Sequence, residues 1–277
     1  MHDTFPRLEG GTVVITGAAS GIGLGLARHA ATLGMRIAAA DIDAQALEQL
    51  ADSLDAEVLT IPTDVSDPHA VDALADAVWQ HFGEVDLLFN NAGVMSTGFS
   101  WEISAERWQR DLAINLGGVL NGLRSFVPRL LAAGRPARIV NTTSVGGFLP
   151  SPLMAPYSAT KFAVVALTES LHGELKLLGA PVEVSLLAPG PVQSAIFSDP
   201  FDASGIHPAT QQFVAAMREM LTANGLAPES FAERVFEGIR QGRYWLIPQP
   251  EALDDPLRQR TEAILARREP APLLGES

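Results

Sequence analysis

Strand-like and helix-like stretches alternate along the first 190 residues, and this pattern constrains the fold more than any other feature. Thr12–Gly17 (TVVITG) reads as a buried strand entering a glycine turn, and IGLGLARHAATLG then reads as a helix ending near Gly34. MRIAAAD is a second strand, and Asp43–Leu54 a second helix with Asp43 as its N-cap. AEVLTIPTDV supplies a third strand and PHAVDALADAVWQHFG a third helix. Val85–Gly93 (VDLLFNNAG) is apolar almost throughout, as suits a strand buried on both faces. A long helix runs through Trp108–Leu131, followed by the strand ARIVNTTS and a helix from about Tyr157 to Gly179. Pro181–Gly190 (PVEVSLLAPG) is the sixth strand. Such alternation implies an α/β fold with a doubly wound parallel sheet of about seven strands flanked by helices. A TIM barrel is the competitor, but it needs eight such units.

Beyond Gly190 the alternation stops. Residues 191–225 hold the loop SDPFDASGIHPAT and an amphipathic helix with Phe213, Met217 and Met220 on related faces. ESFAERVFEGIRQG reads as another helix, RYWLIPQ as a last strand, and DDPLRQRTEAILARRE as a polar final helix before a loose tail at 268–277. With no repeat, low-complexity tract or linker, residues 1–277 are expected to form one domain. The 277 residues can bury a full core without staples, and the sequence has no cysteine, so disulfides and thiolate chemistry are excluded. A net charge of −13 repels phosphate backbones, so nucleic acid is not an expected partner. The opening MHDTFPRLEGG lacks the features of a signal peptide, and no apolar run reaches the roughly 18 residues of a membrane span, so a cytoplasmic protein is expected. The six histidines are scattered, without a metal-binding spacing, so no metal is expected.

Several residue groups carry chemistry. Gly17, Gly21 and Gly23, with Ser20 and Ile22 between them, follow the first strand at a helix start. A diphosphate can approach the free N–H groups there, although a tight strand–helix turn uses the same residues. Asp41 closes the second strand, eighteen residues past Gly23, where a carboxylate accepts hydrogen bonds from a ribose and repels a 2′-phosphate. No arginine or lysine lies within Thr16–Gly23 or beside Asp41, which favours NAD over NADP; a turn or N-cap role is the alternative for Asp41. Asp64 and Val65 end the third strand and Asn90-Asn91-Ala92-Gly93 the fourth, so both fall on the ligand rim of a parallel sheet. Loop capping is the other use of the Asn pair. Tyr157 and Lys161 stand at i and i+4 on one helix face, either as incidental neighbours or as a phenol made more acidic by an ammonium group.

In their order and spacing, the turn Thr16–Gly23, Asn90–Gly93, the Tyr157/Lys161 pair and Pro189-Gly190 resemble the single-domain short-chain dehydrogenase/reductases. The resemblance spans roughly Leu8 to Val192. It implies a Rossmann-like fold, with Tyr157 as general acid/base and Lys161 as its electrostatic partner and a ribose ligand. It also implies that Ser144 bonds the substrate oxygen, in preference to Thr142 and Thr143, and that Asn115 holds a water in a proton relay. Asn115 is a poor helix former, and a polar residue on a half-buried face is the plainer account of it. Pro189, Gly190, Pro191 and Val192 are implied to run beneath the nicotinamide, with Ser194 standing where the family often has threonine. A homodimer or homotetramer, built on the helices through Trp108–Leu131 and Tyr157–Gly179, is implied as well.

These residues together lead to an expected oxidoreductase that moves hydride between NAD(H) and a secondary alcohol or ketone. A catalytically silent NAD(H) sensor is the alternative. Met95, Phe148, Met154 and Phe197 are expected substrate contacts, with Phe99, Trp101, Leu149 and Ile196 as further contributors. Their apolar character favours a bulky hydrophobic or aromatic substrate, unless several of them simply pack the core. Residues 191–225 form the substrate-binding segment, and those from about Ser194 to Asn224 are candidates for a mobile lid.

Overall fold

The computed structural model describes residues 6–197 and 207–270. Most of the expected loop in the 191–225 segment and most of the tail at 268–277 lie outside the described residues. The strands are β1 (Thr12–Thr16), β2 (Arg36–Asp41), β3 (Val58–Pro62), β4 (Leu87–Asn90), β5 (Ala137–Thr142), β6 (Val182–Leu187) and β7 (Trp245–Leu246). They pair in the order β3-β2-β1-β4-β5-β6-β7, every pairing parallel. The order reverses between β1 and β4, and a crevice opens at such a switch point, outside the strands' carboxyl ends. This is a Rossmann-like α/β sheet.

The helices are α1 (Gly21–Thr32), α2 (Ala44–Ser53), α3 (Pro68–Phe82), α4 (Ala105–Asp111), α5 (Gly118–Ala133), α6 (Ala155–Leu177), α7 (Pro208–Asn224), α8 (Pro228–Arg240) and α9 (Asp254–Leu265). Side chains alternate across a strand, so β1 divides its residues between two layers. Val13 and Ile15 pack with Leu26 of α1, Leu47 of α2 and Phe236 of α8, whereas Val14 faces Val78 of α3, Phe126 of α5 and Val164 of α6. Burial of each such side chain stabilises by about 1.5–3 kcal/mol. The expected cap on α2 is present: Asp43 Oδ1 accepts from Ala46 N at 3.0 Å.

Three elements differ from their sequence reading. β3 stops at Pro62, and beyond it Thr63 folds its hydroxyl back to the Ile61 carbonyl at 2.9 Å. RYWLIPQ pairs only through Trp245 and Leu246. The helix read through Trp108–Leu131 starts at Ala105 and is interrupted by a π-helical turn at Leu112–Gly117, which contains Asn115. Turns of this kind insert into helices frequently at functional sites.

Candidate active site

The glycine turn is built by exclusion of side chains. Gly17 (φ 69°) and Gly21 (φ 48°) lie in the left-handed region, where glycine alone is unstrained. A Cβ on Gly17 would lie 2.8 Å from Ala92 Cα, and one on Gly23 only 1.9 Å from the Gly17 carbonyl oxygen. Ser20 caps α1 without a side-chain hydrogen bond, and no carboxylate occupies the first turn. Amide donors and the positive end of the helix dipole therefore meet at the crevice, a chemistry that fits a diphosphate. Asp41 is fixed beside them, its Oδ2 accepting from Ala19 N at 3.0 Å and its Oδ1 from Asp43 N at 3.2 Å.

Thr16 joins the turn to the end of β4. Its hydroxyl accepts from Asn91 N at 2.9 Å and Ala92 N at 3.2 Å, while Asn91 Nδ2 donates to the Thr16 carbonyl at 3.0 Å. Asn90 points the other way, into the protein, where it donates to Asn141 Oδ1 at 2.8 Å; Asn141 in turn donates to Thr168 Oγ1 at 3.0 Å. One asparagine of the pair thus serves the core and the other the rim. At the end of β3, Asp64 Oδ1 accepts from Ser66 N and Oγ, and the Val65 carbonyl accepts from Asn121 Nδ2 at 2.9 Å.

Tyr157 and Lys161 occupy the first turns of α6, both buried. Lys161 Nζ donates to the Thr142 carbonyl at 3.0 Å and lies 5.6 Å from the centre of the Tyr157 ring. Burial, the largest influence, raises the Tyr157 pKa above its ordinary value, and a hydrogen bond with Ser144 pulls the other way. Burial likewise lowers Lys161 to about 8. The sequence reading expected an ammonium group to make the phenol more acidic. Burial works against this, because loss of solvent penalises phenolate and ammonium alike. Ser144 follows β5, and its hydroxyl also accepts from Gly146 N at 3.1 Å. Thr143 is occupied elsewhere, donating to the Lys161 carbonyl at 2.8 Å.

A cavity of about 670 Å³ brings these groups together: the glycine turn with Ser20 and Ile22, Asp41, Asp64-Val65, Asn91–Gly93, Ser144, Tyr157, Lys161, Pro189–Val192 and Ser194. Met95, Met154 and Phe197 also line it. Phe148 does not: it turns toward Trp245, ring centres 5.9 Å apart, and packs in the core beside the sheet. Phe99 and Trp101 stack on each other at 5.0 Å, with Trp101 79 % exposed. Asn115 lies behind the wall, accepting from Val94 N at 2.8 Å and donating to the Val94 carbonyl at 2.9 Å and to Thr160 Oγ1 at 3.1 Å.

The sequence reading missed some contributors. Met217, Met220 and Leu221 of α7 reach the cavity, and the spacing of the two methionines was a readable signal of one helix face. Arg110 and Ile114 line it as well. Gln249 is buried and donates to the Pro191 carbonyl at 2.8 Å; that carbonyl also accepts from Leu226 N at 3.0 Å. No local pattern in the sequence distinguishes such a glutamine. Among the described residues no group of His, Asp and Glu could hold a metal ion, and no helix is long and apolar enough to cross a membrane.

Comparison with known proteins shows the family. The family model described as short chain dehydrogenase matches residues 11–204. A C alpha-dehydrogenase of Sphingobium sp. (strain NBRC 103272 / SYK-6) is 34% identical, over 91% of this chain and 84% of its own length. A 1-deoxy-11-beta-hydroxypentalenate dehydrogenase of Streptomyces exfoliatus is 33% identical, over 89% of this chain and 86% of its own. Among solved structures, a short chain dehydrogenase/reductase from Burkholderia phymatum in complex with NAD superimposes with a TM-score of 0.92 at 38% identity, over 97% of this chain and 99% of that one. The chain belongs to the short-chain dehydrogenase/reductase family of oxidoreductases.

Proposed function

We propose that this protein is an NAD-dependent dehydrogenase or ketoreductase that interconverts a secondary alcohol and a ketone. The observation that carries the reading is the meeting of Tyr157, Ser144 and Lys161 in the same cavity as the glycine turn and Asp41. The Ser144 hydroxyl holds the substrate oxygen and stabilises charge as it develops there. Tyr157 takes the proton from the alcohol, or returns it to the reduced carbonyl, as general base or acid. Lys161, fixed by the Thr142 carbonyl, favours the phenolate whenever it is protonated, and it holds a ribose hydroxyl. When bound, the nicotinamide accepts or donates the hydride. Asn115 supports the relay from Lys161 through its place at the π-helical turn. Asp41 favours NAD by repelling a 2′-phosphate.

The substrate reading rests on the cavity wall. Four of the six methionines in the sequence, Met95, Met154, Met217 and Met220, line it beside Phe197 and Leu221. Thioether side chains are apolar, polarisable and adaptable, which suits a bulky hydrophobic or aromatic alcohol better than a sugar. The relatives named C alpha-dehydrogenase and 1-deoxy-11-beta-hydroxypentalenate dehydrogenase support a dehydrogenase, the second of a hydroxylated compound. A homodimer or homotetramer on the α4–α6 face belongs to the proposal, supported by Leu112 and Leu120, exposed to 42% and 44%. A monomeric mass by light scattering would remove that part. The test of substrate and cofactor is initial-rate measurement with NAD⁺ and NADP⁺ against paired aromatic and polyhydroxylated secondary alcohols. Highest kcat/KM is expected for NAD⁺ with the aromatic alcohol; preference for NADP⁺ or for a polyol contradicts the corresponding half.

A further inference from the structure

Residues 91–97, which follow β4, belong to no strand or helix, yet Met95 reaches the cavity from this stretch. Two side chains of one helical stretch hold it. Asn115 bonds both polar groups of the Val94 backbone, at 2.8 and 2.9 Å. Asp111, four residues earlier, grips Ser96 in the same manner. Its Oδ2 accepts from Ser96 N at 2.9 Å and its Oδ1 from Ser96 Oγ at 3.0 Å. Asp111 and Ser96 are both completely buried.

The two grips lie four residues apart on the helical stretch and two apart on the loop, on either side of Met95. Met95 packs with Tyr157, Phe197 and Phe213. A buried carboxylate is costly unless hydrogen-bonded, and at Asp111 burial raises the carboxyl pKa while the bonds from Ser96 lower it.

We infer that Asp111 is a positioning residue for substrate specificity: by locking Ser96 it aims Met95 into the apolar part of the cavity. The inference rests on the alcohol/ketone reading for its kinetic consequences, though not for its structural ones. The test compares Asp111→Asn, Ser96→Ala and Met95→Ala with the parent protein. Kinetics with 1-phenylethanol and 2-propanol are combined with NADH affinity by fluorescence and amide exchange at Ser96. Asp111→Asn is expected to raise KM for 1-phenylethanol about tenfold, leaving kcat, KM for 2-propanol and NADH affinity within about twofold. Protection of the Ser96 amide falls at the same time. Met95→Ala shifts the preference between the two alcohols without loss of Ser96 protection. Retained Ser96 protection in Asp111→Asn overturns the inference, as does a parallel fall in kcat and NADH affinity. If Asp111→Asn does not fold, Ser96→Ala decides, with an expected rise in KM of about threefold and NADH affinity unchanged. Should the parent protein oxidise neither alcohol, the functional reading fails by itself. Ser96 exchange and acetophenone binding to the NADH complex, weakened in Asp111→Asn if the inference holds and unchanged if it does not, then decide the positioning role.

Discussion

Burial drives Tyr157 and Lys161 toward neutrality, and this has a measurable consequence for stability. Lys161 is lowered to about 8 in the folded chain, from an ordinary value of 10.5. Below about pH 8 the side chain is charged in both folded and unfolded states, and the cost of burying the charge is present in full. Between 8 and 10.5 the folded form releases its proton before the unfolded one does, so stability rises with pH. Replacing Lys161 with methionine is expected to stabilise the fold by about 1–3 kcal/mol at pH 7. The gain should shrink as pH approaches 10. Thermal unfolding of the two proteins across this range checks it, and a less stable variant at pH 7 would count against the burial argument. At this scale Tyr157 and Lys161 were legible in the sequence because i and i+4 share a helix face. The sign of their pKa shifts was not, because desolvation depends on elements far away in sequence, β5 and the Ser144 loop among them.

Two glycines show how elements divide the work. A Cβ on Gly23 meets the Gly17 carbonyl oxygen at 1.9 Å, inside the turn between β1 and α1. On Gly122, within α5, it meets Asn90 Oδ1 at 2.1 Å, on the buried side of β4. Gly23→Ala should therefore lower NADH affinity at least tenfold and also destabilise, by roughly 1–3 kcal/mol. Gly122→Ala should destabilise by a similar amount, roughly 1–3 kcal/mol, while the folded protein keeps its NADH affinity within about twofold. Denaturant unfolding and fluorescence titration separate the two, and equal losses of affinity would refute the division. The strands and helices themselves were readable because the apolar pattern changes period from 2 to 3.6. The π-helical turn at Leu112–Gly117 was not, since the poor helix formers Asn115 and Gly117 weaken a helix without specifying a π turn. The role of Phe148 was misread for a related reason: proximity to Ser144 in sequence does not fix which side of the sheet a ring takes.

Across the whole molecule, sheet order brings the ends of six strands to one rim. The alternation of elements implied the parallel sheet and its family resemblance named the rim, so most of the wall was legible before the fold was known. Met217 and Met220 showed only their shared helix face, and Gln249 was not legible at all, because no local pattern marks a glutamine that holds the Pro191 carbonyl from the C-terminal third. Cofactor choice belongs to this scale too, since Asp41 acts at a distance from the reacting atoms. Asp41→Ala should narrow the ratio of kcat/KM for NAD⁺ over NADP⁺ by about tenfold or more. An unchanged ratio would show that the preference is set elsewhere.

The central claim is that Tyr157 moves the proton in a secondary-alcohol oxidation. The measurement that tests it most directly is NADH formation from NAD⁺ and 1-phenylethanol by the parent protein and by Tyr157→Phe, with NADH affinity measured on both. The account predicts turnover by the parent protein and a fall of about 10²–10⁴ in the variant at unchanged affinity. Full activity in Tyr157→Phe, or tight NADH binding with no turnover of any alcohol or ketone by the parent protein, would contradict it.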